Sequence, residues 1–268
     1  MKIILSRKGF DSANGGCPSP IMPDGTLLSM PIPSQDDTGY EDLYFNGTSY
    51  AELLRQLNPK KAYDTCHLDP DLRENLRKTP VRGWKPAFGQ IGAAQGLLAN
   101  AKVEAGDVFL FFGWFHQAEQ VEGRYRFVRK NPNDFYRSAD LHMIYGYLQI
   151  GGIITDQSRI ASYGWHPHAS AERFQAANNT LYVPTDRLSF LPDRKGYGVL
   201  DYREDRVLTM KGQNRGTWKE QDFLLPCHVY GNRKNAAKDN GLYYSGIWQE
   251  LVVLESDGLI DWIKSILE

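Results

Sequence analysis

VEAGDVFLFFGWF (residues 103–115) and HMIYGYLQIGGII (residues 142–154) decide how this chain folds. The first opens on a Gly106-Asp107 turn and continues through bulky apolar residues with little polar alternation, which suits a strand buried on both faces. The second is a matching apolar run. Gly146 and the Gly151-Gly152 pair punctuate it, where a strand bulges or another backbone comes close. Outward from this pair, YRFVRK (125–130), NTLYVP (179–184), YGVLDY (197–202), RVLTM (206–210) and WQELVVL (248–254) read as further strands, and KIIL (2–5) as a short buried one.

Helices are few. Ser49 and Glu52 have capping-box spacing ahead of Leu53, Leu54 and Leu57, with Asn58-Pro59 as the stop. Ile91, Ala94, Leu98 and Ala101 recur at helical steps and predict a helix over 88–101. SDGLIDWIKSILE (256–268) predicts an amphipathic terminal helix with Leu259, Ile260, Ile263 and Ile266 on one side. The order is strand, long loop, two helices, many strands, one helix. It predicts an α+β fold around a strongly curved mixed sheet or barrel. At 268 residues the chain is expected to be one elaborated domain, with a loop- and helix-containing part over 1–103 and a β-rich core with the terminal helix over 104–268.

Hydrophobic residues at 41% and charged ones at 24% fit a soluble globular chain, and 31 Lys+Arg against 32 Asp+Glu rule out a globally basic coat while leaving room for a local basic groove. Cys17, Cys66 and Cys227 are widely spaced, which argues against a disulfide framework. MKIIL is too short for a signal peptide and no apolar run reaches membrane-span length, so a cytoplasmic location and no membrane partner are expected.

Between the first strand and about residue 46 lies SRKGFDSANGGCPSPIMPDGTLLSMPIPSQDDTG (6–39), whose prolines forbid a long helix. It is built like an anion cradle. The amides of Gly9, Gly15 and Gly16 can approach a phosphate, Arg7 and Lys8 supply charge, and Ser6, Ser12 and Ser19 supply hydroxyls. Asp11 suits a ribose, a metal or an arginine. The loop matches neither standard glycine-rich phosphate motif, and a proline-stapled surface loop with solvated charges fits the same letters. Asp69-Pro70-Asp71 has the spacing of a carboxylate pair that shares a divalent ion with a diphosphate, yet Asp69 is equally well placed as a helix N-cap with Pro70 at the first helical position. His166 and His168 flank Pro167. With His67, His116 and His142 they allow a metal site to be imagined, but HxxxH, HExxH and CxxC are absent and no metal is assigned. Contact with a phosphate or base is the reading kept for His166 or His168. Trp114, after Gly113, and Trp165 are candidates for base stacking, while Phe109, Phe111 and Phe112 are core. Arg194, Lys195, Lys211, Arg215 and Lys219 suggest a phosphate-tracking edge, and 231–241 is another basic loop. Cys17 has no base nearby that would make it a nucleophile.

Two resemblances follow from these motifs. The pair EAGDVFLFF and HMIYGYLQIGGI resembles the strand pair of PUA-like barrels, the ASCH and EVE domains included, several of which bind single-stranded or flipped-out bases. SRKGFDS, the GG-PSPI-PDGTL-S-PIP run, HLDPDL, GDVFLFFGWF, IYGYLQIGGI, HPHA and NNTLYVP together resemble the third type of nucleotide modification associated domain, a bacterial and phage family, across nearly the whole chain. That resemblance implies nucleotide or nucleic-acid chemistry tied to DNA base modification, with other base-modification proteins as partners. It implies no settled reaction. Asp11, Asp69 and His166 are the catalytic candidates, and the cofactor is left open. A non-catalytic reader of modified bases and a metal-dependent nucleotide-sugar transferase are the alternatives.

Overall fold

The first strand, β1 (Ile3–Arg7), lies inside the main sheet rather than at its rim. It pairs in parallel with β6 (Val108–Val121) on one side and antiparallel with β11 (Glu250–Val253) on the other. The remaining elements used below are, in chain order, β2 (Ser19–Ile21), β3 (Ile32–Gly39), α1 (Tyr50–Leu57), β4 (Thr65–His67), β5 (Phe88–Gln90), α2 (Gly92–Asn100), β7 (Arg124–Phe127), β8 (Leu141–Ile154), β9 (Thr180–Pro184), β10 (Tyr197–Val199) and α3 (Leu259–Leu267). The sheet order is β11-β1-β6-β8-β9-β5, with β2 and β7 added to β6 and β10 to β8. In this computed structural model, which describes residues 1–231, 237–238 and 241–268, the sheet is strongly curled into a half-barrel, and the fold is mixed α+β as expected. Most of the basic loop 231–241 lies outside the described residues. No helix among the described residues is long and apolar enough to cross a membrane.

The long apolar runs form the centre because both faces of the sheet are covered. Ile3, Leu5, Val108, Leu110 and Phe112 face α3, which contributes Leu259, Ile263 and Ile266. Ile4, Phe109 and Phe111 point the other way, toward Phe88 and Tyr182, with Leu98 and Ala101 in the same cluster. Strand side chains alternate between faces, so a strand buried on both sides needs apolar residues throughout. The glycines of β8 mark register shifts, one between Ile144 and Gly146 against β6 and one between Ile150 and Gly152 against β9. α1 is capped by the Ser49 hydroxyl, which accepts from the Glu52 amide. The helix expected over 88–101 begins later. Phe88–Gln90 is drawn into β5 by antiparallel pairing with β9, and only Gly92–Asn100 is helical.

His142 sits under the sheet among Phe112, Trp218 and Tyr244. The Trp218 indole donates to its Nδ1 at 3.0 Å, so that nitrogen must carry a lone pair. Burial first, then the charges of Arg215 and Arg7, pushes its pKa down to about 3. The unfolded imidazole titrates near 6.5, so below that pH the unfolded chain takes up a proton that the folded one refuses. Stability from this group is complete above about pH 6.5 and falls as the pH drops toward 3. Between pH 7 and pH 5 this amounts to about 2 kcal/mol. His142→Gln, which keeps an acceptor for Trp218, should show a correspondingly shallower acid dependence in urea unfolding. Equal slopes in both proteins would refute the assignment.

Candidate functional site

β1 delivers the opening loop to one side of a cleft of ≈ 390 Å³, and the β4 end, the turn after it and the 166–169 turn form the other. Arg7, Lys8, Gly9, Asp11 and Asn14 line it together with His67, Asp69, Gln90, His168 and Arg173. The sequence therefore brings its first loop and its HLDPD and HPHA motifs to one place. Among the lining residues, Arg7, Lys8 and Arg173 set three cations against the carboxylates of Asp11 and Asp69.

The loop candidates divide by partner. The Arg7 guanidinium lies 3.5 Å from Asp11 and borders the cleft. Asp11 is occupied in shaping the loop, since its Oδ1 accepts from the amides of Ala13 and Asn14. Lys8 borders the cleft as well, but it is buried. Its ammonium sits 3.4 Å from Glu250 and 4.3 Å from the centre of the Phe88 ring. Ser6 donates to Glu250, and the Ser19 hydroxyl accepts from the Met30 amide, so both hydroxyls are structural. Ser12 accepts from Arg215. Gly9 lines the cleft, the Gly15 carbonyl accepts from the Tyr63 hydroxyl, and the Gly16 amide closes the turn onto Asp11. Of the predicted cradle, Arg7, Lys8 and Gly9 line the cleft. Cys17 is buried, and burial pushes its thiol pKa up.

Asp69 is not a helix cap. Its Oδ1 accepts from the Gly89 amide at 2.8 Å, twenty residues along the chain, and the next helical turn starts at Glu74 behind Arg73. Asp71 leaves the pair altogether. It binds the Trp84 indole at 3.0 Å and Arg77 at 2.8 Å, which overturns the shared-ion reading of Asp69-Pro70-Asp71. Asp69 instead faces three histidines. His166 Nε2 is 3.3 Å from Oδ1, and the Nε2 atoms of His67 and His168 lie 3.9 and 4.0 Å from Oδ2. Burial disfavours the Asp69 carboxylate, but His166, His168 and Lys8 outweigh it and hold the group well below the usual range. His166 caps the 166–169 turn by accepting from the His168 amide, so its Nδ1 is the acceptor and its Nε2 faces the carboxylate. Burial pushes His168 down to about 3, against the opposing pull of Asp69.

Sequence reading named His67 and His168 only within a loose group of histidines with no metal assigned, and it did not single out Asp36, Arg173, Asn179 or Gln90. The available signal was the alternation His67-Leu68-Asp69, which in extended chain puts two polar groups on one side. The aromatic candidates lie outside this cleft. Trp114 pairs with His142 across the sheet and carries the Arg215 guanidinium at 3.9 Å from its ring centre, while Trp165 packs against Tyr163. The expected basic edge is largely tied down. Arg194 and Lys219 donate to the carbonyls of Glu268 and Glu204, and Arg215 binds Ser12.

A half-barrel holding a polar cleft of this make-up is compatible with many chemistries, and the comparison with known families narrows them. The sequence model of nucleotide modification associated domain 3 matches residues 2–253, nearly the whole chain. The chain belongs to that family, and its role is related to nucleotide modification. No curated protein and no solved structure matches it.

Proposed function

We propose that this protein binds a nucleotide or single-stranded DNA in the cleft and acts on it during base modification. In this reading Arg7 and Arg173 hold phosphate at the rim, and His67, Asp69, His166 and His168 form the chemical end. The observation that carries it is the convergence of the opening loop with the Asp69 cluster on one cleft. Membership of a nucleotide-modification family supports the substrate class. Arginine suits the rim because its planar fork meets two phosphate oxygens at once.

Binding of labelled single-stranded DNA and of nucleoside monophosphates, at low and moderate salt, tests this. A charge-assisted contact is worth about 1.5–3 kcal/mol, so Arg7→Ala and Arg173→Ala should each weaken binding by roughly 10- to 100-fold. Each should also lower the salt slope by about one. Wild type that binds neither ligand at low salt would end the proposal. A non-catalytic reader draws support from a second cleft of ≈ 650 Å³ that shares Arg7 and is lined by Phe135, Arg215 and Tyr243. Turnover of a bound base or nucleotide separates the two readings.

A further inference from the structure

We infer that His67, Asp69 and His168 form a binding site for one divalent first-row transition-metal ion on the wall of the cleft. Their donor atoms all lie within 4.8 Å of one another. The inference does not need the cleft to take a nucleotide.

Proton bookkeeping carries the argument. His67 Nδ1 is 2.7 Å from Asp36 Oδ2, and an ionised carboxylate only accepts, so that nitrogen holds the hydrogen. His168 Nδ1 is 2.8 Å from Asn179 Oδ1. The amide is oriented by its other end, because Asn179 Nδ2 donates to the His168 carbonyl at 3.0 Å and to Gln157 at 3.1 Å. His168 Nδ1 therefore also holds a hydrogen. In the neutral imidazoles both Nε2 atoms are then bare lone pairs, and both face Asp69 Oδ2 at 3.9 and 4.0 Å. Asp69 is oriented in the same sense. The Gly89 amide and His166 engage Oδ1, which leaves Oδ2 for the two histidines.

Three electron-pair donors thus converge with no hydrogen between them, and their side chains are only 11%, 3% and 3% exposed. Such an arrangement suits a cation. Metal–nitrogen and metal–oxygen bonds of about 2.1 Å place two ligands of one ion at most about 4.2 Å apart. The two separations from Asp69 Oδ2, 3.9 and 4.0 Å, fall inside that limit, and the histidine pair lies within 4.8 Å. The outer hydrogen bonds to Asp36 and Asn179 are the kind that fix the tautomer of a metal-bound histidine. Two imidazoles and one carboxylate favour zinc, iron, cobalt or manganese over magnesium or calcium. Among the described residues three protein ligands are supplied, and the cleft opens beside them, which leaves positions for water or a substrate oxygen.

Chelator-treated protein titrated with Co²⁺ or Zn²⁺ alone, by calorimetry and visible absorption, tests this. One ion per chain should bind, with a dissociation constant in the micromolar range or below, and it should raise the melting temperature. His67→Ala and His168→Ala should weaken binding at least about 100-fold, and Asp36→Asn, acting through His67, about 10- to 100-fold. A readout in wild type guards against variants that do not fold. Bound Co²⁺ should strongly shift the exchangeable Nδ1–H proton signals of two histidine rings. Absence of stoichiometric binding, or binding that shifts no histidine N–H signal, overturns the inference. So does binding unchanged in both folded histidine variants. DNA or nucleotide binding by the metal-free protein is scored separately, so either reading can fail alone.

Discussion

Replacing Lys8 by methionine should cost about 3–5 kcal/mol at neutral pH, because it strands a buried carboxylate. Glu250 is fully enclosed at the start of β11, where Ser6, Gln90 and Lys8 all approach its Oε1 at 3.0, 2.7 and 3.4 Å. Burial pushes the Glu250 pKa up in spite of the Lys8 charge and the Ser6 and Gln90 hydrogen bonds. Its second oxygen, Oε2, has no hydrogen-bond partner. Among the described residues Lys8 is the one ammonium paired with this group, so removing it leaves a charge that the site cannot solvate. The double variant Lys8→Met/Glu250→Gln should regain most of the loss, since a neutral amide keeps an acceptor for Ser6 and Gln90. Urea unfolding of wild type, single and double variants checks both statements. A single variant within about 1 kcal/mol of wild type would show that Lys8 is not structural. A stable Lys8→Met protein that had lost DNA binding would return Lys8 to the phosphate role its sequence position suggests.

That contrast shows where the sequence was legible and where it was not. The strand pair could be read because burial on both faces demands apolar residues throughout, and β6 and β8 carry them with glycines at the register shifts. α1 could be read because a cap is a local device. Asp69 could not, because a cap and a buried carboxylate before proline use the same letters. What separates them is the Gly89 amide, brought in by β5. Arg7 and Lys8 are neighbours with similar charge, yet strand alternation sends one to the rim and the other to Glu250. The cluster of His67, Asp69 and His168 joins segments about one hundred residues apart, so no spacing rule reaches it. β5 and β9, paired antiparallel, bring Gly89 and Asn179 to the two sides of His168.

Gly89→Ala should dismantle that cluster from behind. A Cβ on Gly89 would stand 2.2 Å from His168 Cδ2, 2.3 Å from Cγ and 2.7 Å from Nδ1. These are distances that no packed methyl tolerates, and the ring cannot retreat freely while Asn179 grips both its Nδ1 and its backbone carbonyl. The ring must swing by an ångström or more, which breaks the Nδ1 hydrogen bond, releases the tautomer and turns Nε2 away from Asp69. Overpacking of this kind costs about 1–3 kcal/mol of stability. The larger effect falls on the site. If His168 is a metal ligand, Co²⁺ affinity should drop at least about 100-fold, and the shifted N–H signal of one histidine should vanish while that of the other persists. The Gly89 amide also holds Asp69 Oδ1, so Asp69→Asn, which keeps an acceptor for that amide but removes the charge, isolates the electrostatic part of the loss. Gly89→Ala that folds and binds Co²⁺ as tightly as wild type would show that His168 does not need its observed position, and the geometry on which the metal site rests would lose its meaning.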